Sequence, residues 1–365
     1  MKEKTVFRGF GCLALAVCMA VCCGCASTEL EQRSFPLAVG IDTQEDGETM
    51  AVSFDFPDLA QISEKGKTGD TPVSLSLEGE DMYHVEKSYE NNTNRLLDYN
   101  HMKAVVLGEP FLSQSEMLRR LLLAWEQQEA SVRNTSLFVG DASAAEILSL
   151  TEETEGSVGK YLEEMIESQK DFKQEKTVTM GDLMNQWHNQ DELLLIPILT
   201  EQGQRPAITS YAAVLDFEYL GNISVEEAME AFLSQGLLER FTCEAIKQRV
   251  VEISGIQVTH TVSQAGDVPL VTVSVKGKGR LVSGQASSAA EMKQIKERIE
   301  RQLTTDLMET AQKFRQEYGI DMTNSYLSLG GHDRELYRSY QNMPELYNSE
   351  AQQVFQVEVS MMHWE

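Results

Sequence analysis

The chain has 365 residues, 42% hydrophobic and 24% charged, the balance of a folded globular protein with room for two or three domains. Its formal net charge of -26 repels nucleic acid and anionic lipid headgroups. Five of the six cysteines fall within the first 25 residues, which excludes a disulfide framework for the folded body.

Those cysteines sit in an export signal. "MKEKTVFRG" supplies the bases Lys2, Lys4 and Arg8, and "FGCLALAVCMAV" a short apolar run. A comfortable membrane-spanning helix needs about 20 apolar residues, more than this run has. Gly24 before Cys25, with Ala26 and Ser27 after it, gives the small residues of a bacterial lipoprotein signal. Cys22 stands where such signals usually have leucine. The expected organisation is a signal peptide over residues 1–24 and a lipidated tether over 25–34, with Cys25 carrying the lipid; the alternatives are ordinary secretion and an uncleaved anchor. Losing three bases and one acid with the signal takes the charge to -28, so lipid must hold the body at a membrane. Cys12, Cys18, Cys22 and Cys23 leave with the signal. Cys243 stays without a partner, in "LLERFTCEAIKQRVV", whose spacing is helical.

"FPLAVGID" and "ETMAVSFDFP" read as a β-hairpin about the turn "TQEDGE". "LAQISEKGKTGDTPVSLSLEGED" reads as an exposed loop, and the stretch from Asp81 to Asp98 as a helix with Val85, Tyr89 and Leu96 on or near one face. "HMKAVVLGEPFL" is an apolar strand ended by Gly108 and Pro110. Ser113 and Glu116 have the spacing of a capping box opening the helix "SQSEMLRRLLLAWEQQ". "TSLFVGD" and "ASAAEILSLTEE" repeat the strand–helix order, an α/β layer. Two helices follow, then the strand "DELLLIPILT" and a linker punctuated by Gly203 and Pro206. The main boundary is placed there, giving an N-terminal α/β region over 35–202 and a C-terminal α+β module over 203–365.

In the second half, "AITSYAAVLDFEYLGNIS" reads as a hairpin turning at "EYLGNI", and "SVEEAMEAFLSQG" as a capped helix ending at Gly236. The alternation in "RVVEISGIQVTHTVSQAGDVPLVTVSVKGKGRLVSG" makes two long strands. A helix over about 287–318 carries Met292, Ile295, Ile299, Leu303, Leu307, Ala311 and Phe314 on one face, to be buried against that antiparallel sheet. Lys293, Lys296, Glu297, Glu300 and Arg301 are expected on its solvated or partner-facing side. "AQQVFQVEVSMMHW" closes the chain as a strand. The fold class is mixed α+β, multi-domain, with mixed sheets and packed helices.

A search for chemistry finds none. "GKT" after "EK" lacks the glycine of a phosphate loop, Gln61 standing in its place. No G-x-S-x-G elbow occurs, and His84, His101, His188, His260, His332 and His363 are scattered without metal-ligand spacing. His101 has Asp98 near it but no nucleophile, and reads as a histidine at a strand entrance. No catalytic residue, metal or cofactor is expected, and the chain is read as non-enzymatic.

Several stretches together resemble the Ger(x)C family, the lipoprotein C subunits of spore germinant receptors. Arg33, Gly40, Ile41 and Asp42 stand where that family has its opening strand. His101, Lys103, Gly108 and Glu109 carry an "H-x-K-x-x-x-x-G-E" pattern, and Arg133 matches in the next segment. Ala213, Val214, Leu220, Gly221 and Glu227 match the start of the C-terminal module. The tryptophan common after the lipid cysteine is absent, another is replaced within "MPELYN", and Asp216 and Glu218 occupy a turn that is commonly basic. The resemblance implies three domains and no catalysis. It implies a place on the outer face of the inner spore membrane, beside an A-type and a transporter-like B-type integral-membrane subunit, in nutrient-triggered germination. The alternative is a solute-binding lipoprotein serving a transporter, for which two doubly wound lobes would be expected. A lipid-anchored hydrolase lacks its nucleophile.

Overall fold

The computed structural model describes residues 32–57, 74–127, 132–150, 157–173, 178–188, 192–244, 249–266, 268–341 and 343–362. The expected signal peptide, Cys25, most of the tether and "EKGKTGD" lie outside them.

The chain begins with β1 (Arg33–Ser34) and the hairpin β2 (Ala38–Thr43) and β3 (Met50–Asp55). The Asp46 carboxylate closes its turn, accepting the N–H groups of Glu48 and Thr49 at 2.9 Å each. β4 (Ser74–Gly79) pairs antiparallel with β3. It corrects the loop expected there: Leu75 and Leu77 face the core while Ser76 and Glu78 face water. Then come α1 (Met82–Thr93), β5 (Leu96–Leu97), β6 (Ala104–Gly108), α2 (Glu109–Leu112) and α3 (Ser115–Gln127). Ser113 does not cap α3. It ends α2, its hydroxyl donating back to the Glu109 carbonyl at 2.9 Å. β7 (Ser136–Gly140), α4 (Ala144–Leu148), α5 (Val158–Glu167), α6 (Met180–Asn185) and β8 (Leu194–Gln202) complete the alternating half.

β9 (Arg205–Leu215) and β10 (Glu218–Ser224) extend the same sheet. The position expected to divide the two halves is the two-residue turn of the β8–β9 hairpin, with φ of 58° at Gly203 and 66° at Gln204. No linker intervenes there. The next turn is also displaced from the expected one: it falls at Asp216 and Phe217, φ 47° and 64°, and "EYLGNI" is strand.

Eight strands run in the order β10-β9-β8-β7-β6-β2-β3-β4, parallel from β8 through β2 and antiparallel on both flanks. Both faces are covered, so the central strands are apolar throughout. Val105 and Leu107 of β6 face one cluster with α1, α3 and α6, whereas Ala104 and Val106 face a second with α4 and α5. Toward β8 and β9 that second face is taken over by the C-terminal elements, with Leu195, Tyr211 and Ala213 in their core.

Those elements are α7 (Val225–Ser234), β11 (Arg240–Glu244), β12 (Val250–Ala265), β13 (Val268–Ser283), α8 (Ala289–Lys313), α9 (Ser325–His332), α10 (Arg334–Tyr340), α11 (Pro344–Glu350) and β14 (Gln352–Met361). The strands form a sheet β11-β12-β13-β14, antiparallel except for the parallel β13–β14 pair. Ile295, Ile299, Leu303, Leu307 and Ala311 of α8 are buried in the core with Val273, Val275, Phe355 and Val359 from the sheet. After Lys313 the helix loosens into a π-helical turn, Phe314–Tyr318. Glu300, expected on the solvated face, is an exception: its Oε1 accepts the Val359 N–H of edge strand β14 at 2.8 Å. Cys243 lies in β11 rather than in a helix, because pairing with β12 overrides the local spacing.

Candidate functional site

The residues that carried the resemblance to a family form joints between elements. Asp42, at the end of β2, faces the first turn of α4: its carboxylate accepts from Ala144 N at 2.8 Å, Ala145 N at 2.9 Å and Ser143 Oγ at 3.1 Å. A carboxylate at a helix N-terminus satisfies orphan amides and meets the positive end of the helix. Gly108 is required beside it, since an added Cβ would lie 2.2 Å from Asp42 Oδ1. The "G-I-D" and "G-E" segments therefore meet in one contact.

The other matches behave alike. Arg33 pairs with Asp98 at 2.7 Å where β1 meets β5. Burial raises the Asp98 carboxyl, but Arg33 and the Asn100 N–H outweigh it and hold it below the ordinary carboxylate value. Lys103 pairs with Glu163 of α5 at 2.7 Å, and Glu109 accepts from the Tyr219 hydroxyl of β10 at 2.9 Å. Arg133 donates to Asn185 Oδ1 of α6 at 3.1 Å. Ala213 and Val214 are buried in β9. Leu220 packs against the C-terminal core, and Gly221 is a bulge at φ 144°, a backbone state suited to glycine. Glu227 forms a capping box with Ser224 and meets Lys313 of α8 at 2.5 Å.

Three joints gave no sequence signal. Asp55 is fully buried and accepts from Ser157 Oγ at 3.0 Å and Gly159 N at 2.8 Å, at the start of α5. Its other oxygen has no partner, and burial pushes the carboxyl up to about 6 against those hydrogen bonds. Arg119 of α3 lies over the Phe217 ring at 4.6 Å and donates to the Asp216 carbonyl at 2.9 Å, seating the β9–β10 turn. Asp321, also buried, accepts from Thr323 N at 2.8 Å and Ser325 N at 2.9 Å, and from the Gln353 amide of β14.

His101 is exposed, its ring edge-on to Phe35 at 5.3 Å, while Asp98 is engaged by Arg33. The structure thus brings no acid–base pair together at that position. His84 meets Asp81 at 2.7 Å, and His260 Nε2 lies 2.7 Å from the Ser234 carbonyl. Among the described residues no group of three or more His, Cys, Asp or Glu side chains is placed to hold a metal. Cys243 is half-buried, and burial pushes its thiol up to about 11, away from a reactive thiolate.

These contacts define a mixed α+β protein in which the residues that carried the resemblance lock elements together. The sequence model described as "Spore germination protein N-terminal domain" matches residues 26–201. That described as "Spore germination B3/ GerAC like, C-terminal" matches residues 210–362. The chain belongs to this Ger(x)C family of spore germination proteins, and its role is that of a germinant-receptor C subunit in spore germination. Among solved structures it is similar to that titled "Crystal Structure of the GerBC protein", at 13% identity and a TM-score of 0.60, over 89% of this chain and 97% of the other. A search of curated proteins finds no match.

Proposed function

We propose that the protein is a non-catalytic subunit, tethered through diacylglycerol on Cys25 to the outer face of the inner spore membrane. There it assembles with an A-type and a transporter-like B-type membrane subunit and takes part in nutrient-triggered germination. The observation that carries the anchoring is the signal-like segment ending in Gly24 and Cys25, ahead of a body whose two parts match germination domains. In support, no helix among the described residues is long and apolar enough to cross a membrane, and the strong negative charge opposes adsorption to anionic lipid. The absence of catalysis is supported by the engagement of Asp42, Asp98, Glu109 and Glu227 in joints of the fold. The alternative of a solute-binding lipoprotein is not favoured, because one continuous sheet crosses the middle of the chain.

Cys25→Ala tests the anchor. The variant is expected in the soluble fraction of sporulating cells, without incorporation of labelled palmitate. Membrane retention with palmitate still incorporated would overturn the assignment.

A further inference from the structure

We infer that the groove between α7, β11 and α8 docks an extended segment of a membrane partner in which apolar residues alternate with lysine or arginine. This rests on the receptor-subunit reading above. The groove has a volume of about 470 Å³. Its floor is apolar, with Val225 and Met229 of α7, Phe241 of β11 and Leu303 of α8. The first three of these remain half-buried. Its rim is acidic: Glu226 and Glu230 on α7, Glu244 on β11 and Asp306 on α8. Arg240 is the one cation among the described lining residues.

The acids act on one another. Burial raises the Glu230 carboxyl, and Asp306, Glu227 and Glu309 push in the same direction, against a hydrogen bond from Thr310. A basic side chain entering the rim relieves that repulsion, and electrostatic complementarity of this kind selects the partner. The backbone geometry favours an extended occupant. Among the described residues β11 is an edge strand of its sheet. The Arg240 N–H is taken by the Asp171 carbonyl at 3.1 Å, leaving Phe241–Glu244 as the length along which another strand can add. In such a strand every second side chain faces the apolar floor, and the intervening ones lie on the side of the exposed Glu244. A second copy of this chain is a poor occupant, because a chain of net charge -26 would bring further acid to an acidic rim.

The test uses the purified full chain and two synthetic peptides, one alternating leucine with lysine and one alternating leucine with glutamate. The lysine peptide should bind saturably by fluorescence anisotropy and the glutamate peptide should not. Glu226→Gln with Asp306→Asn should weaken binding about tenfold or more, as expected when paired charges at an interface are lost. The matched pair Glu45→Gln with Glu48→Gln, in the exposed β2–β3 turn, changes the net charge equally and should leave binding unchanged. Thermal melts of both double variants report folding. Equal binding of the two peptides, or equal losses in the two double variants, would overturn the inference. Co-purification of the membrane subunits is measured in parallel on the parent. Its failure contradicts the receptor reading, whereas co-purification unaffected by the groove variant contradicts the groove alone.

Discussion

The two sheets solve the same burial problem differently. The eight-stranded sheet is covered on both faces, and its helices are pinned by carboxylates that cross it from strand ends, Asp42 to α4 and Asp55 to α5. The four-stranded sheet buries one face only, with Val251, Ile253, Val271 and Val273 inward and polar residues such as Glu252 and Thr272 less enclosed. It is held mainly by the apolar stripe of α8, and its charged ties lie toward the rim. A sheet covered on both faces through its centre places anchors such as Asp55 inside, where each is costly to disturb. One with a wet face keeps its cross-strand charge pairs where water tempers their effect, although its edge strand β14 is also tied to the buried Asp321 through Gln353.

The largest effect should come from the apolar stripe. Leu303→Ala in α8 should lower stability by about 2–5 kcal/mol, read from the denaturant midpoint. A loss below about 1 kcal/mol would mean that α8 is not the main support of its sheet. Next is the buried anchor of the first sheet. With its folded value near 6 and a reference of 3.8, Asp55 binds more proton in the folded state than in the unfolded one between those values. Its favourable contribution is therefore fully present below 3.8 and is lost as pH rises through about 6. At neutral pH the difference from the acid limit is at most roughly 3 kcal/mol. Urea unfolding from pH 4 to 7 should show this decline in the parent and not in Asp55→Asn; parallel curves would contradict the burial argument.

Glu300→Ala sharpens the contrast, because that carboxylate caps the edge of the second sheet and is only partly enclosed. It should cost about 1 kcal/mol, between a buried hydrogen bond and a surface charge. Smallest is Glu358→Gln, which breaks the exposed pair with Lys276 across β13 and β14 and should change stability by less than about 0.5 kcal/mol. If Glu358→Gln proved as damaging as Glu300→Ala, water would not be tempering the ties of the second sheet.

What was legible in the sequence follows the same division. The one-sided sheet and its helix announce themselves by period, two residues in β12 and β13 and three to four along Ile295, Ile299, Leu303 and Leu307. The two-sided sheet shows as apolar runs, which reveal β6 and β7 but not their partners. Local signals misled where distant contacts decide. Ser113 and Glu116 have capping-box spacing, yet α2 ends at that serine. The turn at Phe217 has no glycine, and its φ of 64° is held by the Gln186 side chain, which accepts the Phe217 N–H at 2.9 Å, and by Arg119 above the ring. Asp42 and Asp55 anchor helices about a hundred residues away, a relation that no window of sequence contains.

The central claim is that the residues that carried the resemblance are joints of the fold. Its most direct test is Asp42→Ala, with stability, amount of folded protein and germination response measured on the same spores. The account predicts that the denaturant midpoint falls and that the germination response declines in proportion to the folded protein remaining. A variant as stable and abundant as the parent that nevertheless fails to support germination would contradict it.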